Sequence, residues 1–505
     1  MAATAGQTRS RTATSAVLLA LLLVAVRFTL AAGPPNEARW RLLVLIGVCW
    51  LGFAAAAAAL LRTPARTAVP LLLVGAVALQ VLAVQVPPRM TDDYYRYAWD
   101  GRVQAAGIDP YRFAPVDPAT ASLRDDWLFP PSAPPCATDV RACTRLNHPT
   151  SPTIYPPVAQ AAFWLLHVVT APLGPDGGGA LALQVAAALV ALATTGALLL
   201  VLRRTGGDPR RAVLWAWCPT VVLEAGNNAH VDVVAALLVV LALGGAARGH
   251  PVRAGLAVGA AVATKLLPVL LLPALLAGAW RRWRPATAML AAAAVVVVAS
   301  YLPHVVAVGP RVLGFLPGYL DEEGYGGGRG RFALLGPWLP DAVAALVALA
   351  LVAGTAVAVA RRGDPARPWA GATVLVGVAF AIGGVTYPWY ALLLVALVAL
   401  GGRAEWLGLA VAAYPGYFAA ALPVSYVAAQ RVGYGAALAV VLAVTLWRGR
   451  PRPTVIMEFG RAARRKSLIT GRSGGPASPA SRPGTTPGAP AATAIPAPPA
   501  ARPPR

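Results

Sequence analysis

"AVPLLLVGAVALQVLAVQVPPRMTDDYYRYAWDGRV", residues 68–103, joins two kinds of chain that rarely meet. Its first part, 68–87, is apolar and long enough to cross a bilayer, since about 20 residues at helical rise span the hydrocarbon core. Residues 91–103 then hold three aspartates, two arginines and four large aromatics. A hydrophobic helix therefore opens directly onto a dense polar and aromatic cluster.

The rest of the chain extends the apolar theme. Of its 505 residues 57% are hydrophobic and 12% charged. Runs of 18 or more apolar residues recur along the chain, which predicts an all-α polytopic membrane protein. Alternating period-2 strands are absent, which excludes a transmembrane β-barrel. The net charge of +23 suggests nucleic acid at first sight. The arginines instead cluster at helix ends, where they act as an orientation signal, so no nucleic-acid partner is expected. Only two lysines occur, which singles out Lys265. Cys49 and Cys218 lie in apolar segments and read as packing residues. Cys136 and Cys143 share a polar loop, where a local disulfide is one of two open readings.

Candidate spans are 15–32, 40–61, 68–87, 179–202, 211–225, 229–247, 253–264, 267–280, 285–303, 338–360, 367–386, 388–402, 404–421 and 430–447, fourteen in all. The first of these reads as a retained helix rather than a cleaved signal. Residues 154–172 are apolar too. Counting them as a crossing would put the four arginines of "RRTGGDPRR" (203–211) on the outer side, so a re-entrant or interfacial helix is expected there. Residues 253–284 are flanked by arginines at both ends, which predicts two short legs meeting near Lys265 and Pro268. A single helix would bury Lys265 mid-bilayer at a cost of roughly 2.5–3.5 kcal/mol. The resulting organisation is a cytoplasmic N-terminus (1–14), three helices (15–87), an outer loop with the interfacial helix (88–178), a helical core (179–447) and a basic Pro/Ala-rich cytoplasmic tail (448–505). That tail carries ten Arg, one Lys and one Glu, and is expected to be disordered.

This threading gathers Asp92, Asp93, Glu224, His230, Asp232, Lys265 and His304 on the outer side of a plasma-membrane protein. Ionisable residues near membrane depth are rare and usually functional. The loop 88–152 carries seven Arg against eight Asp and is rich in Pro, Tyr and Trp, so it should lie on the membrane interface rather than act as a linker.

Four stretches carry a resemblance: "DDYYRYAWDGRVQAAGIDPYRFAP" (92–115), "HPTSPTIYPPVAQ" (148–160), "RRAVLWAWCPTVVLEAGNNAHVD" (210–232) and "ATKLLPVLLLPAL" (263–275). From about residue 40 to 447 the chain resembles the GT-C class of membrane glycosyltransferases, and within it the actinobacterial polyprenyl-phosphate-mannose-dependent α-mannosyltransferases. The resemblance implies a polyprenyl-phosphate sugar donor, a cell-envelope glycolipid or glycan acceptor, an active site on the outer face and inversion at the anomeric carbon.

Such chemistry needs a carboxylate as general base on the acceptor hydroxyl and positive charge on the departing phosphate. Asp93 is the expected base, with Asp92 the alternative. A competing reading makes both simple helix-N-terminal residues. Lys265 is the expected phosphate ligand, with His230, Arg96 and Arg102 as assistants. Snorkelling would explain Lys265 without a ligand, and Asp100 or Asp109 would equally pair the arginines. Glu224, Asp232, Asp100, Tyr155, Tyr387 and Trp389 are candidates for holding sugar or acceptor. An interfacial aromatic belt accounts equally well for Tyr387, Trp389 and Tyr390. The glycine run in "DEEGYGGGRGRF" (321–332) reads as a mobile outer loop, not a phosphate cradle. No His or Cys spacing suits zinc, so no cofactor is expected, and a carboxylate-bound divalent ion is left open. The principal alternative function is a transporter or flippase of a lipid-linked intermediate. It is disfavoured because only one broken helix pair is visible, without a counterpart repeat. Transfer of arabinose or another sugar would use the same design.

Overall fold

A computed structural model describes residues 2–33, 35–131, 144–174, 177–279, 282–322, 331–384, 387–419 and 422–449. The chain divides into two units, Met1–Arg448 and Gly449–Arg505. The second, and with it the expected tail, lies outside the described residues apart from Gly449, as do Cys136, Cys143 and the glycines of 321–332 up to Gly330.

Among the described residues every regular element is helical. Three long helices open the chain: α1 (Ala2–Leu30), α2 (Pro35–Leu61) and α3 (Ala65–Ala83). The polar loop carries α4 (Asp93–Ala105) and leads to α5 (Pro157–Thr170). The core follows with α6 (Gly179–Arg204), α7 (Val213–Ala216), α8 (Asp232–Ala247), α9 (Pro251–Val262), α10 (Leu272–Leu275) and α11 (Trp283–Val308). Then come α12 (Leu316–Glu322), α13 (Asp341–Arg362), α14 (Pro368–Gly383), α15 (Ala391–Gly401), α16 (Gly408–Tyr417) and α17 (Tyr426–Gly449).

The expected architecture of a polytopic membrane protein is the one observed, although its crossings differ from the fourteen spans. Among the described residues seven helices are long and apolar enough to cross a membrane, eight if the bent pair Val221–Asn227 and Asp232–Ala247 counts as one. Shorter apolar helices occupy Pro157–Leu173, Pro251–Val262, Pro368–Gly383 and Pro388–Gly401. At α5 the fourteen residues of Pro157–Thr170 reach about 21 Å, less than the hydrocarbon thickness. The spans expected over 211–225, 267–280 and 404–421 are each broken. Pro219 lies in the first and Pro268 and Pro273 in the second, and proline lacks the N–H that continues a helix; the third is a 3₁₀ turn, Ala404–Leu407, followed by α16, which runs through Pro415 to Tyr417. In place of 267–280 there is a 3₁₀ turn, Leu267–Leu271, and then α10. The predicted break before it, at Lys265, is present, since α9 ends at Val262.

Helix α3 shows how burial is allotted. Ala68, Leu72, Ala76, Leu79 and Ala83 recur at three- and four-residue spacing and face the protein. Leu73, Val74, Val77 and Val81 point outward, as lipid contacts would require. At the other extreme α15 is buried on every side from Ala391 to Leu400, as an all-round apolar helix should be.

The two ends of α3 are chemically opposite. Just before its start, Arg11 donates to the Arg62 carbonyl (3.1 Å) and Arg210 to the Thr63 carbonyl (2.9 Å). Gly402 lies against the Arg211 side chain, and Arg403 and Arg448 both pair with Glu405. Arginine loops 62–66, 203–211, 403 and 448 thus meet at one end. The aspartate-rich stretch begins at the other, about 28 Å away along the nineteen residues of α3.

Helices α9 and α11 pack through Gly255 and Gly259. A Cβ on Gly259 would sit 2.6 Å from the Ala293 carbonyl oxygen, and one on Gly255 would strike the Met289 carbonyl. Small residues four apart permit such backbone approach between membrane helices. Gly259→Val is expected to lower the unfolding midpoint in detergent, with a loss of roughly 1–3 kcal/mol from overpacking. Gly354→Ala, where a Cβ would meet nothing within 4 Å, should leave it unchanged or higher.

Candidate functional site

The site begins with the way the chain leaves α3. The last carbonyls of a helix have no intrahelical partner and must find one elsewhere, the more so away from water. Asn227 supplies it, donating from Nδ2 to the carbonyls of Ala83 (2.9 Å) and Val86 (3.0 Å). Gln184 of α6 donates to the carbonyls of Val86 (2.9 Å) and Asn227 (2.7 Å). Asn228 Oδ1 accepts from the backbone N–H groups of Arg89 (3.1 Å) and Met90 (3.2 Å). Residues 83–90 are thereby strapped to the 221–228 segment, and Asp92 and Asp93 follow at once.

That segment is unusual in its own right. After Pro219 the backbone runs as a π-helix over Val221–Asn227, then turns by 116° into α8. Ala229 sits in the turn at φ +58°, a left-handed conformation that costs a non-glycine residue free energy. π-Helical turns and such strained residues collect at functional sites. Here the break sets Glu224, His230 and Asp232 side by side, which a continuous helix would spread along its length.

Asp93 is the first residue of α4 and Asp92 occupies its cap position without a side-chain cap bond. Both carboxylates are turned instead to Asn147, whose Nδ2 lies 2.6 Å from Asp93 Oδ1 and 3.2 Å from Asp92 Oδ1. The other Asp93 oxygen stands 3.6 Å from His230 Nδ1, and His230 Nε2 is 3.5 Å from Glu224 Oε2. Neither ring nitrogen of His230 makes a hydrogen bond. Glu224 is buried and accepts from Asn228 Nδ2 (2.9 Å) and the Tyr414 hydroxyl (2.9 Å). His230 stacks on Trp389 at 4.0 Å between centroids, and Trp389 on Tyr387 at 4.5 Å.

Tyr390 follows Trp389 and leads to the second half of the site. Lys265 Nζ lies 5.1 Å from the Tyr390 ring centroid and 5.5 Å from that of Tyr155. It pairs with Asp232 at 3.1 Å, and its side chain keeps 20% exposure. Asp93, His230, Lys265 and Asp232 therefore surround one Trp389–Tyr390 step. The Tyr390 hydroxyl also bonds that of Tyr319 on α12.

Several expected ligands are placed differently. Arg96 is buried in an ion pair with Asp100 (3.0 Å) and donates to the carbonyls of His148 and Ser151. The second Asp100 oxygen takes Gln160 Nε2 at 2.8 Å. Arg102 pairs with Asp125 at 2.5 Å and donates to the Leu123 carbonyl. These three residues thus hold the loop that follows α4 to α4 and α5, because charges in a weakly hydrated loop must be paired locally. His230 lies between the carboxylates of Asp93 and Glu224 and against the Trp389 indole. His304 pairs with Asp109 at 2.8 Å. Asn147, Asn227, Asn228, Gln184 and Tyr414 were not anticipated. The adjacent asparagines of "AGNNAHVD" were the available signal, since buried amides in an apolar stretch need partners. Among the described residues no group of three or more His, Cys, Asp or Glu is arranged to hold a metal ion.

Residues 153–382 match the family model of glycosyltransferase family 87. No curated protein and no solved structure matches the chain. The matched stretch carries Glu224, His230, Asp232, Lys265 and Tyr155, while Asp92, Asp93 and Asn147 precede it and Trp389 follows it. The apolar helices and this similarity to membrane glycosyltransferases together indicate a multi-pass membrane protein.

Burial, and then the neighbouring charge of Asp93, raises the Asp92 carboxyl above its ordinary value. A raised acid favours folding fully at pH below its unfolded value, and that contribution is lost as pH rises through the folded one. Asp92→Asn carries no charge at any pH. It is expected to raise the unfolding midpoint relative to wild type more at pH 8 than at pH 4, by thermal melts at the two values.

Proposed function

We propose that the protein is an inverting glycosyltransferase that moves a mannosyl residue from a polyprenyl-phosphate donor to a cell-envelope glycolipid or glycan acceptor. The observation that carries this reading is the placement of Asp93 beside the His230–Trp389 stack and of Lys265 beside Tyr390, which meets Trp389 edge-on. A base and a phosphate-sized cation are the two groups that displacement of a sugar phosphate requires. The similarity over 153–382 supports the reaction class, and the choice of mannose and of polyprenyl phosphate rests on the resemblance of the four sequence stretches.

In this reading the acceptor hydroxyl oxygen attacks the anomeric carbon from the face opposite the phosphate. Its proton passes to Asp93, the bond from the anomeric carbon to the phosphate oxygen breaks, and polyprenyl phosphate leaves with the electron pair. Lys265 Nζ offsets the charge that builds on that phosphate. Its pairing with Asp232 keeps the ammonium in place before the donor arrives. His230 lies between Asp93 and Glu224, where it can share the accepted proton between them. Tyr155 and Tyr390 wall the cation, and Tyr387 continues the aromatic surface along which a sugar ring can lie. Arginine-rich loops favour the cytoplasm, so the opposite, aspartate end of α3 is assigned to the extracytoplasmic side. There the lipid tail stays in the bilayer while the sugar reaches water.

Membranes containing the full-length protein, supplied with radiolabelled polyprenyl-phosphate mannose, test this. Asp93→Asn is expected to slow transfer about 10²–10⁴-fold, the usual contribution of a general base. Lys265→Met should slow it by about 10²–10³-fold, as for loss of one stabilising donor. Unchanged transfer in Asp93→Asn would remove Asp93 as the base. Movement of the lipid donor across vesicles without any transfer would point to a transporter.

A further inference from the structure

The aspartate pair poses a problem that the proposed reaction leaves open. Two adjacent carboxylates at one helix start repel each other, and nothing in their own positions says which one faces the acceptor. The group that distinguishes them comes from 54 residues further along the chain. We propose that Asn147 is a positioning residue that fixes Asp93, and not Asp92, as the carboxylate presented to the acceptor. This rests on the reading of Asp93 as the general base.

The geometry is unequal in the way this role needs. Asn147 Nδ2 is 2.6 Å from Asp93 Oδ1 and 3.2 Å from Asp92 Oδ1. An amide supplies two N–H donors and no charge, so it holds both carboxylates without neutralising either. A lysine or arginine there would depress the basicity the reaction depends on. With Oδ1 held by the amide and Oδ2 beside His230, the Asp93 carboxylate plane has little freedom. Asp92 is exposed and has the longer amide contact.

Asn147 is itself held from two sides. Arg96, one turn after Asp93 on α4, donates to the His148 carbonyl (3.3 Å) and the Ser151 carbonyl (3.0 Å). The helix that supplies the base thus also clamps the loop that returns to steady it. On the far side His148, at φ +46°, packs its ring 4.7 Å from Phe315 and sets Nδ1 3.5 Å from Glu322 of α12. This gives Arg96 a role in the site without contact to phosphate.

The ionisable groups around Asp93 are Asp92 on its own segment, and His230 with Glu224 behind it. Asp232 and its partner Lys265 lie on the α8 side. The hydroxyls of Tyr97, Tyr155 and Tyr417 complete the set, and His148 faces Asp92. All of these stay in place when Asn147 alone is changed, so the pH dependence of the variant isolates the amide.

The test uses full-length protein in membranes with radiolabelled polyprenyl-phosphate mannose, measuring kcat and KM for donor across pH 4–9 in wild type, Asn147→Ala and Asn147→Asp. Asn147→Ala is expected to lower kcat about tenfold or more, as for a lost hydrogen bond to a charged group, with donor KM within about twofold. Removing a donor from a carboxylate raises its pKa, so the acidic limb of kcat should move up by about one pH unit. The isosteric Asn147→Asp removes the amide and adds a third carboxylate, so its acidic limb should move further in the same direction. It also serves if Asn147→Ala does not fold. A wild-type acidic limb in the folded variants, or a loss confined to KM, overturns the assignment. If Asp93→Asn is inactive while the Asn147 variants match wild type, the positioning role fails and the base stands. If Asp93→Asn transfers normally, the reading beneath it has failed instead.

Discussion

The exit of α3 has to end its hydrogen bonds in an apolar setting, and the buried amides of Asn227, Asn228 and Gln184 let it do so. An unsatisfied backbone carbonyl out of water costs several kcal/mol, so these contacts leave residues 83–90 little choice of path. Asp92 and Asp93 come two and three residues after Met90, so their location is inherited from the strap. Asn228 also holds Glu224, which ties the same strap to the carboxylate on the far side of His230. Loss of that amide would reach both halves of the aspartate–histidine–glutamate row at once.

The composition of the site is one-sided. Asp92, Asp93, Glu224 and Asp232 stand against Lys265 and the imidazole of His230. Such an excess of acid, with Glu224 and Asp232 buried, is unfavourable unless each carboxylate has donors, and each does: Asn147 for the aspartate pair, Tyr414 and Asn228 for Glu224, and Lys265 for Asp232. Asp232 pairs with Lys265, while Asp93 and Glu224 flank His230. In the proposed reaction that placement would direct an anionic phosphate to Lys265 and an acceptor hydroxyl to Asp93. The loop after α3 serves as scaffold, with Arg96 closing on Asp100, Gln160 on Asp100 and Arg102 on Asp125.

Much of this was legible before any fold was known. Apolar run length announced a helical membrane protein, and arginine clusters marked one common end. The solitary Lys265 stood out by rarity, and the flanking arginines of 253–284 implied the break at which it sits. Segment lengths failed where prolines interrupt apolar runs, because hydropathy registers composition and not the missing N–H at Pro219 or Pro268. For the arginines of the loop, phosphate binding and aspartate pairing were both open, and Arg96 and Arg102 pair with Asp100 and Asp125. A residue type able to bind phosphate says nothing about whether a nearer aspartate already holds it.

Local composition by itself therefore determined that the chain is all-helical, that it is membrane-bound in character, and which few ionisable residues are out of place in it. Tertiary structure decided their company: Asn147 beside Asp93, His230 between two carboxylates, and Lys265 against Asp232 and two tyrosines. The physical reason is range. Hydrophobic periodicity and proline geometry act within a turn or two of chain. Pairing of buried polar groups is settled between segments tens to hundreds of residues apart, by which donors remain within reach once the helices have packed.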